Sequence, residues 1–208
     1  MNYLEALSRR YSVKKFNNGI IPQEALHNIL ESGKLAASSL GLQPYKIIVV
    51  ESEEMKRKLI PAFYNPSQIS TCSHLIVIIS KRIIDDSYIH GYFNHISEVR
   101  DVPLEKLDLF KKSINQHIVQ KTTDEIFNWA EKQSYIVLAN LMYAAAIENI
   151  DTCPMEGFRQ EMIEDILEIN PETEKVTVTL ALGYRSEEDH FQHMKKVRKP
   201  NEKLFKFI

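Results

Sequence analysis

From Thr123 to about Asn149 the chain contains neither glycine nor proline. Over that stretch Phe127, Ala130, Ser134, Val137, Leu138, Leu141, Ala144, Ala145 and Glu148 recur at helical spacing. The apolar residues spill over more than one face, which predicts a long helix buried on two sides. A helix of that kind needs partners on both flanks, and its second face is the natural place for a subunit interface.

The remaining segments supply partners. Tyr45 to Glu51 is β-branched and reads as a buried strand. Leu75 to Ile79 is a continuous apolar run expected of a central strand, and Lys175 to Tyr184 predicts a third strand with partial alternation. Residues 2–10 put Tyr3, Leu4 and Leu7 on one helical face. Pro22 opens a second helix with Ala25, Leu26, Ile29 and Leu30 as its stripe and Gly33 as its stop. Ser52 caps a short helix with Glu53 and Glu54 in its first turn, and 158–169 is amphipathic. Residues 36–41 are small and loop-like; 83–121 read as helix interrupted at Gly91 and Pro103. No repeat, low-complexity stretch or linker divides residues 1–208, so a single domain is expected.

Two clusters of cations stand out against a formal net charge of only −2. Arg9, Arg10, Lys14 and Lys15 lie near one end; Lys195, Lys196, Arg198 and Lys199 lie near the other. Cations gathered at distant points of a near-neutral chain suit one localised anion, such as a cofactor phosphate, rather than a polyanion. A sequence pI near 6.4 argues against nucleic-acid binding. No apolar run approaches the roughly 20 residues of a membrane span and no signal-like segment opens the chain, which points to the cytoplasm. Cys72 and Cys153 match no CxxC spacing and read as small buried thiols. The histidines form no HExxH, so no metal site is expected, and no glycine pattern marks a Rossmann or Walker loop.

On an extended stretch Arg10, Ser12 and Lys14 share a side, two cations around a hydroxyl. The same run can equally be a solvated turn, and the basic tail a solvated segment. Ser38 and Ser39 precede the first strand, where loops often form ligand sites, or else they cap local backbone. Gly157, read as a helix entrance, would let a flat ligand approach free N–H groups, or be a plain loop.

Together these segments resemble the FMN-dependent nitroreductase family, and its oxygen-insensitive NAD(P)H nitroreductase branch in particular. The resemblance runs over essentially the whole chain. It is carried by RRYSVKKF at 9–16, ASSLGLQPY at 37–45, Asn65 with Ser73-His74, WAEKQSY at 129–135, PMEGF at 154–158 and KVRKP at 196–200. It implies an α+β fold, a mostly antiparallel central sheet flanked by helices, in an intertwined homodimer whose C-terminal segment is exchanged and whose core is the 123–149 helix. It implies FMN as cofactor. Arg10, Tyr11, Ser12 and Lys14 would surround the pyrimidine edge and ribityl-phosphate tail. Lys196 and Arg198 would hold the phosphate, and Pro154, Glu156 and Gly157 would line the flavin face. Ser38, Ser39 and Asn65 would come from the second subunit.

The implied activity is a two-electron ping-pong cycle in which NAD(P)H reduces the flavin and a nitroaromatic or quinone reoxidises it. No side chain is required as nucleophile or obligatory acid. A flavin, pteridine or enone reductase of the same fold, or a flavin-binding protein with little turnover, are the alternatives. Three departures from the family pattern stand out: Gly41 for a common Asn, Tyr45 for a common Trp, and Gln68 for a frequent Lys near the flavin. Region 85–121, which would cover the site, matches least well.

Overall fold

The computed structural model describes residues 2–208. Its centre is a four-stranded sheet of β1 (Tyr45–Val50), β2 (His74–Lys81), β3 (Asp151–Met155) and β4 (Glu174–Gly183) in the order β1-β2-β4-β3. All neighbouring pairs are antiparallel. The apolar run of β2 is buried along both faces, as a central strand requires. Leu75, Val77 and Ile79 face one core and Ile76 and Ile78 the other, following the period of two.

The partial alternation read in β4 has a structural cause. The register between β2 and β4 slips at Ile78/Ile79, so that Val178 pairs with Ile78 but Val176 pairs with Ile79. This bulge inserts one residue and changes which face the following side chains meet. Val176 therefore joins the core that holds Val77, whereas Val178, Leu180 and Leu182 join the other.

One face of the sheet is covered by α2 (Gln23–Lys34) and α7 (Thr123–Ile147). The other is covered by α3 (Glu53–Leu59), α4 (Ser67–Thr71) and α8 (Gln160–Ile166). α5 (Asp86–Arg100) and α6 (Asp108–Val119) pack with the start of α7 in a third apolar cluster. α1 (Tyr3–Arg9) lies beside α7, and α9 (Asn201–Leu204) belongs to the tail. The long helix begins at a capping box, Thr122 with Glu125, and buries Val137, Leu138 and Leu141 against the sheet.

Three expectations change. Residues 151–155, not read as a strand from the sequence, form one, and Pro154 is accommodated because it sits on the sheet edge, where the missing N–H breaks no ladder. Gly91 does not interrupt α5: it faces open space, and a solvent-side glycine costs a helix only about 1 kcal/mol. The break falls instead at Asp101, which ends α5 in the left-handed region at φ 51°. The helix expected over 158–169 begins at Gln160, so Gly157 lies ahead of it in extended chain, where Phe158 bridges Phe63.

Buried polar groups hold the sheet end nearest the cation clusters. His74 is 2% exposed; its Nδ1 lies 2.8 Å from Ser73 Oγ, and its Nε2 lies 3.8 Å from Glu51. Burial holds its imidazole below the ordinary value, outweighing Glu51. A depressed folded pKa means stability is complete above about pH 6.5 and is lost as pH falls toward the folded value. Urea unfolding at a series of pH values should show this decline, no steeper than about 1.4 kcal/mol per pH unit, and His74→Gln should flatten it. An equal slope in the variant would show that another group causes it.

Candidate functional site

The two cationic ends of the sequence meet at one edge of the sheet. The extended segment 12–16 follows α1 and runs beside the ends of β3 and β4, with Ser12 bridging Thr152 and Phe16 bridging Arg185. Val13 donates its N–H to Thr152 O at 3.2 Å and sends its side chain into the core. Gly183 makes this approach possible, since a Cβ there would stand 2.8 Å from the Phe16 ring. Alternation then leaves Arg10, Ser12 and Lys14 lining one cleft of about 520 Å³ with Tyr11, Lys196 and Arg198.

Among the described residues Arg10, Lys196 and Arg198 of this cleft have no carboxylate partner, whereas Arg185 is paired with Asp151. Arg10 Nη1 is buried without a hydrogen-bond partner, whereas the Tyr11 hydroxyl is turned toward the Asp189 carboxylate, and burial together with that carboxylate raises its pKa. Burial, and then Arg198, lower the Arg10 pKa; burial, Arg10 and Arg198 lower that of Lys196. Lys196 Nζ donates to the Arg10 carbonyl, tying the tail to the N-terminal run. A dianion placed here would relieve the mutual repulsion and fill the empty donors.

Lys14 also lines a second cleft of about 270 Å³ with Asn65, Gln68, Pro154, Glu156 and Gly157. Pro154 and Glu156 come from the edge strand and the segment after it, Asn65 from the segment before α4 and Gln68 from its first turn. Gln68 is only 3% exposed; its Nε2 donates to Cys153 Sγ at 3.8 Å, while its Oε1 has no partner. Burial raises the Cys153 thiol pKa, so the neutral thiol is favoured. Tyr135 on α7 donates its hydroxyl to Glu156 Oε1 at 2.5 Å and holds that carboxylate at the rim.

Asn65, expected from a partner copy, already lies in the cleft of its own chain. Ser38 and Ser39 line neither cleft: Ser38 Oγ accepts the Gln43 N–H at 3.0 Å, and the Ser39 N–H donates to Gln133 Oε1 at 2.8 Å. Gly41 in the same loop has φ +69° and would place a Cβ 2.5 Å from the Tyr92 hydroxyl, a backbone reason for glycine there. Region 85–121 contributes to neither cleft; Tyr92 and Phe110 pack against Phe93.

Sequence reasoning missed the residues that hold the clefts in place. Asp189, 3% exposed, accepts the N–H groups of Lys14 at 2.7 Å, Lys15 at 3.3 Å and Phe191 at 3.1 Å. Burial works against its charge, yet these backbone donors keep its carboxyl below the ordinary range. Asp151 pairs with Arg185 through two contacts, Nε at 2.9 Å and Nη2 at 2.5 Å, and Arg185 stacks over Tyr11 at 4.7 Å. Neither acid belongs to a local sequence motif, and only their burial reveals them. Among the described residues no group of His, Cys, Asp and Glu could hold a metal ion, and no helix is long and apolar enough to cross a membrane.

The fold is an α+β arrangement, an antiparallel sheet between helical layers, with Lys14 lining both a cationic cleft and a narrower one. A solved nitroreductase in complex with FMN from Exiguobacterium sibiricum has the same fold, with a TM-score of 0.86 at 22% identity over 100% of this chain and 98% of that one. The family model "Nitroreductase family" matches residues 7–184, and the chain belongs to that family. A Bacillus subtilis protein named Putative NAD(P)H nitroreductase is 35% identical over 88% of each chain. A Staphylococcus haemolyticus protein of the same name is 32% identical over 99% of this chain and 96% of its own. The chain is accordingly an oxidoreductase of the NAD(P)H nitroreductase kind.

Proposed function

We propose that this protein is a single-domain, FMN-dependent NAD(P)H oxidoreductase that reduces nitroaromatics or quinones by a two-electron ping-pong cycle. The observation that carries the reading is the joint between the clefts: Lys14 lines both, with unmatched cations on one side and a polar, partly apolar slot on the other. The unpartnered Arg10 Nη1 and Gln68 Oε1 fit a ligand with an anionic tail and a flat polar ring. When bound, FMN supplies the hydride and electron chemistry.

The chain's own groups bind and orient. Arg10, Lys196 and Arg198 hold the phosphate. Tyr11 and Ser12 border the ribityl path. Lys14 would place its positive charge beside the ring edge, an electrostatic contribution made without reorganisation. Pro154 and Gly157 wall the ring, Glu156 is fixed by Tyr135, and Asn65 and Gln68 add polar contacts. Two free, buried thiols suit a reducing compartment, so we place the protein in the cytoplasm.

Ser38 and Ser39 enter the site from a second copy in this reading. Three features support such a dimer. α7 exposes Ile136, Tyr143 and Ile147 along one face beside Tyr3, Leu4 and Leu7 of α1. β1 is an edge strand with no partner on its outer side. The tail ends in Phe205, Phe207 and Ile208, all exposed in the single chain. Removal of residues 202–208 should weaken the dimer at least ~10-fold, since burying even one such aromatic or aliphatic side chain contributes about 1.5–3 kcal/mol. Light scattering over a dilution series reads it, and an unchanged dimer would remove the tail from the interface.

The decisive test of function is the absorption spectrum of the purified protein with FMN added, followed by NAD(P)H oxidation with menadione or nitrofurazone. A protein that takes up no FMN refutes the reading, and FMN uptake without turnover refutes the enzymatic part.

A further inference from the structure

The floor of the narrower cleft is a sulfur-centred unit. Cys153 on β3 is 1% exposed. Lys14 Nζ approaches its Sγ at 3.9 Å from the N-terminal segment, and Gln68 Nε2 at 3.8 Å from α4. Three separate parts of the chain therefore meet on one atom. The Gln68 amide uses its nitrogen on the sulfur and leaves Oε1 buried and unpartnered in the lining of the cleft. An orphaned buried acceptor costs about 1–3 kcal/mol, which makes it a site awaiting a donor rather than a packing detail.

We propose that Cys153 is a positioning residue that fixes Lys14 and Gln68 to each other, so that the ligand's ring edge meets an ammonium donor and an amide acceptor as one rigid pair. The proposal rests on the FMN reading and adds to it a residue that acts through Lys14 and Gln68. Lys14 is a long side chain with four rotatable bonds, and without the sulfur its charge would swing toward solvent. The neutral, polarisable thiol holds it without cancelling its charge, as a carboxylate would. The amide in turn cannot rotate without giving up the sulfur.

Positioning of this kind has a signature that simple packing lacks. It should change the balance between binding the oxidised and the reduced cofactor, because only the reduced ring carries the negative charge that Lys14 matches. In FMN-loaded Cys153→Ala, the ratio of reduced to oxidised affinity should fall ~10-fold, a drop of about 30 mV in the two-electron midpoint potential. Affinity for oxidised FMN should change less than ~3-fold, since the phosphate cations are untouched. Cys153→Ser, whose hydroxyl also accepts, should recover most of the potential. In a Lys14→Met background the alanine change should shrink to the ~3-fold share that runs through Gln68, because the larger part of the effect of Cys153 passes through Lys14.

Reductive titration against a reference dye reads the potential, and flavin fluorescence reads affinity. Equal potentials for wild type and Cys153→Ala overturn the proposal, as does an undiminished shift in the Lys14→Met background. Should Cys153→Ala fail to fold, Gln68→Met keeps the sulfur and removes one of its anchors. A drop of ~3-fold in the ratio is expected there, and an unchanged ratio counts against the unit. A wild-type protein that binds no FMN refutes the parent reading instead, and that result is distinct from binding without coupling.

Discussion

Alanine at both Lys196 and Arg198 should raise the FMN dissociation constant ~100-fold, with each single change near 10-fold, because a charge-assisted hydrogen bond contributes about 1.5–3 kcal/mol. Both side chains line the wide cleft beside Arg10, and both are exposed in the single chain, so salt should weaken their contribution. Lys196 has a second duty: it donates to the Arg10 carbonyl, so its loss also loosens the N-terminal run. The two changes share one partner and need not add. Fluorescence titration of the cofactor-free protein, repeated at low and high salt, measures the effect. Riboflavin, which lacks the phosphate, should lose far less affinity than FMN between wild type and the double variant. If FMN affinity is unchanged, or if riboflavin loses as much as FMN, the phosphate lies elsewhere.

Asp189→Ala should be the most damaging single substitution outside the apolar core. It removes the carboxylate that accepts the N–H groups of Lys14, Lys15 and Phe191. Each buried donor left unpaired costs about 1–3 kcal/mol, and water entering the gap offsets part of that. A net loss of about 3 kcal/mol corresponds to a fall in Tm of ~6–12 °C for a chain of this size. Because those N–H groups belong to the segment that carries Lys14, FMN affinity should fall as well. Asp189→Asn retains one acceptor and should cost less. The wild-type carboxyl titrates below its ordinary range, so this contribution is complete above that range and disappears as pH falls through the folded pKa. Calorimetry of the three proteins from neutral to acidic pH tests it. A Tm for Asp189→Ala within a degree of wild type would mean that the tail turn stands without the carboxylate.

Much of this architecture was legible one segment at a time. The glycine-free and proline-free run became α7 with Val137, Leu138 and Leu141 on the sheet, since helical periodicity is a local property. The continuous apolar run at Leu75–Ile79 became the central β2, buried on both faces. Ser52 caps α3 as its position suggested. The strand at 151–155 escaped because a proline argues against a strand until the sheet order places it at the edge. The β4 bulge escaped for a related reason: Val176 and Val178 look equivalent until the pairing with β2 separates them.

The candidate site divides in the same way. Clustered charge along the chain pointed to an anion, and the order of the motifs pointed to the family, because both are written in neighbouring residues. Nothing local announces that Lys14 joins two clefts, that Asp189 reaches back to hold it, or that Cys153 lies between Lys14 and Gln68. Those relations join residues more than 80 positions apart. A short acid or a lone cysteine looks the same whether it is solvated or buried. The sequence by itself determined most of the elements, the family and the two clusters of cations. Only the folded chain decided which polar atoms lose water and which partners they then find, because desolvation is set by every element packed around a group and by none of them alone.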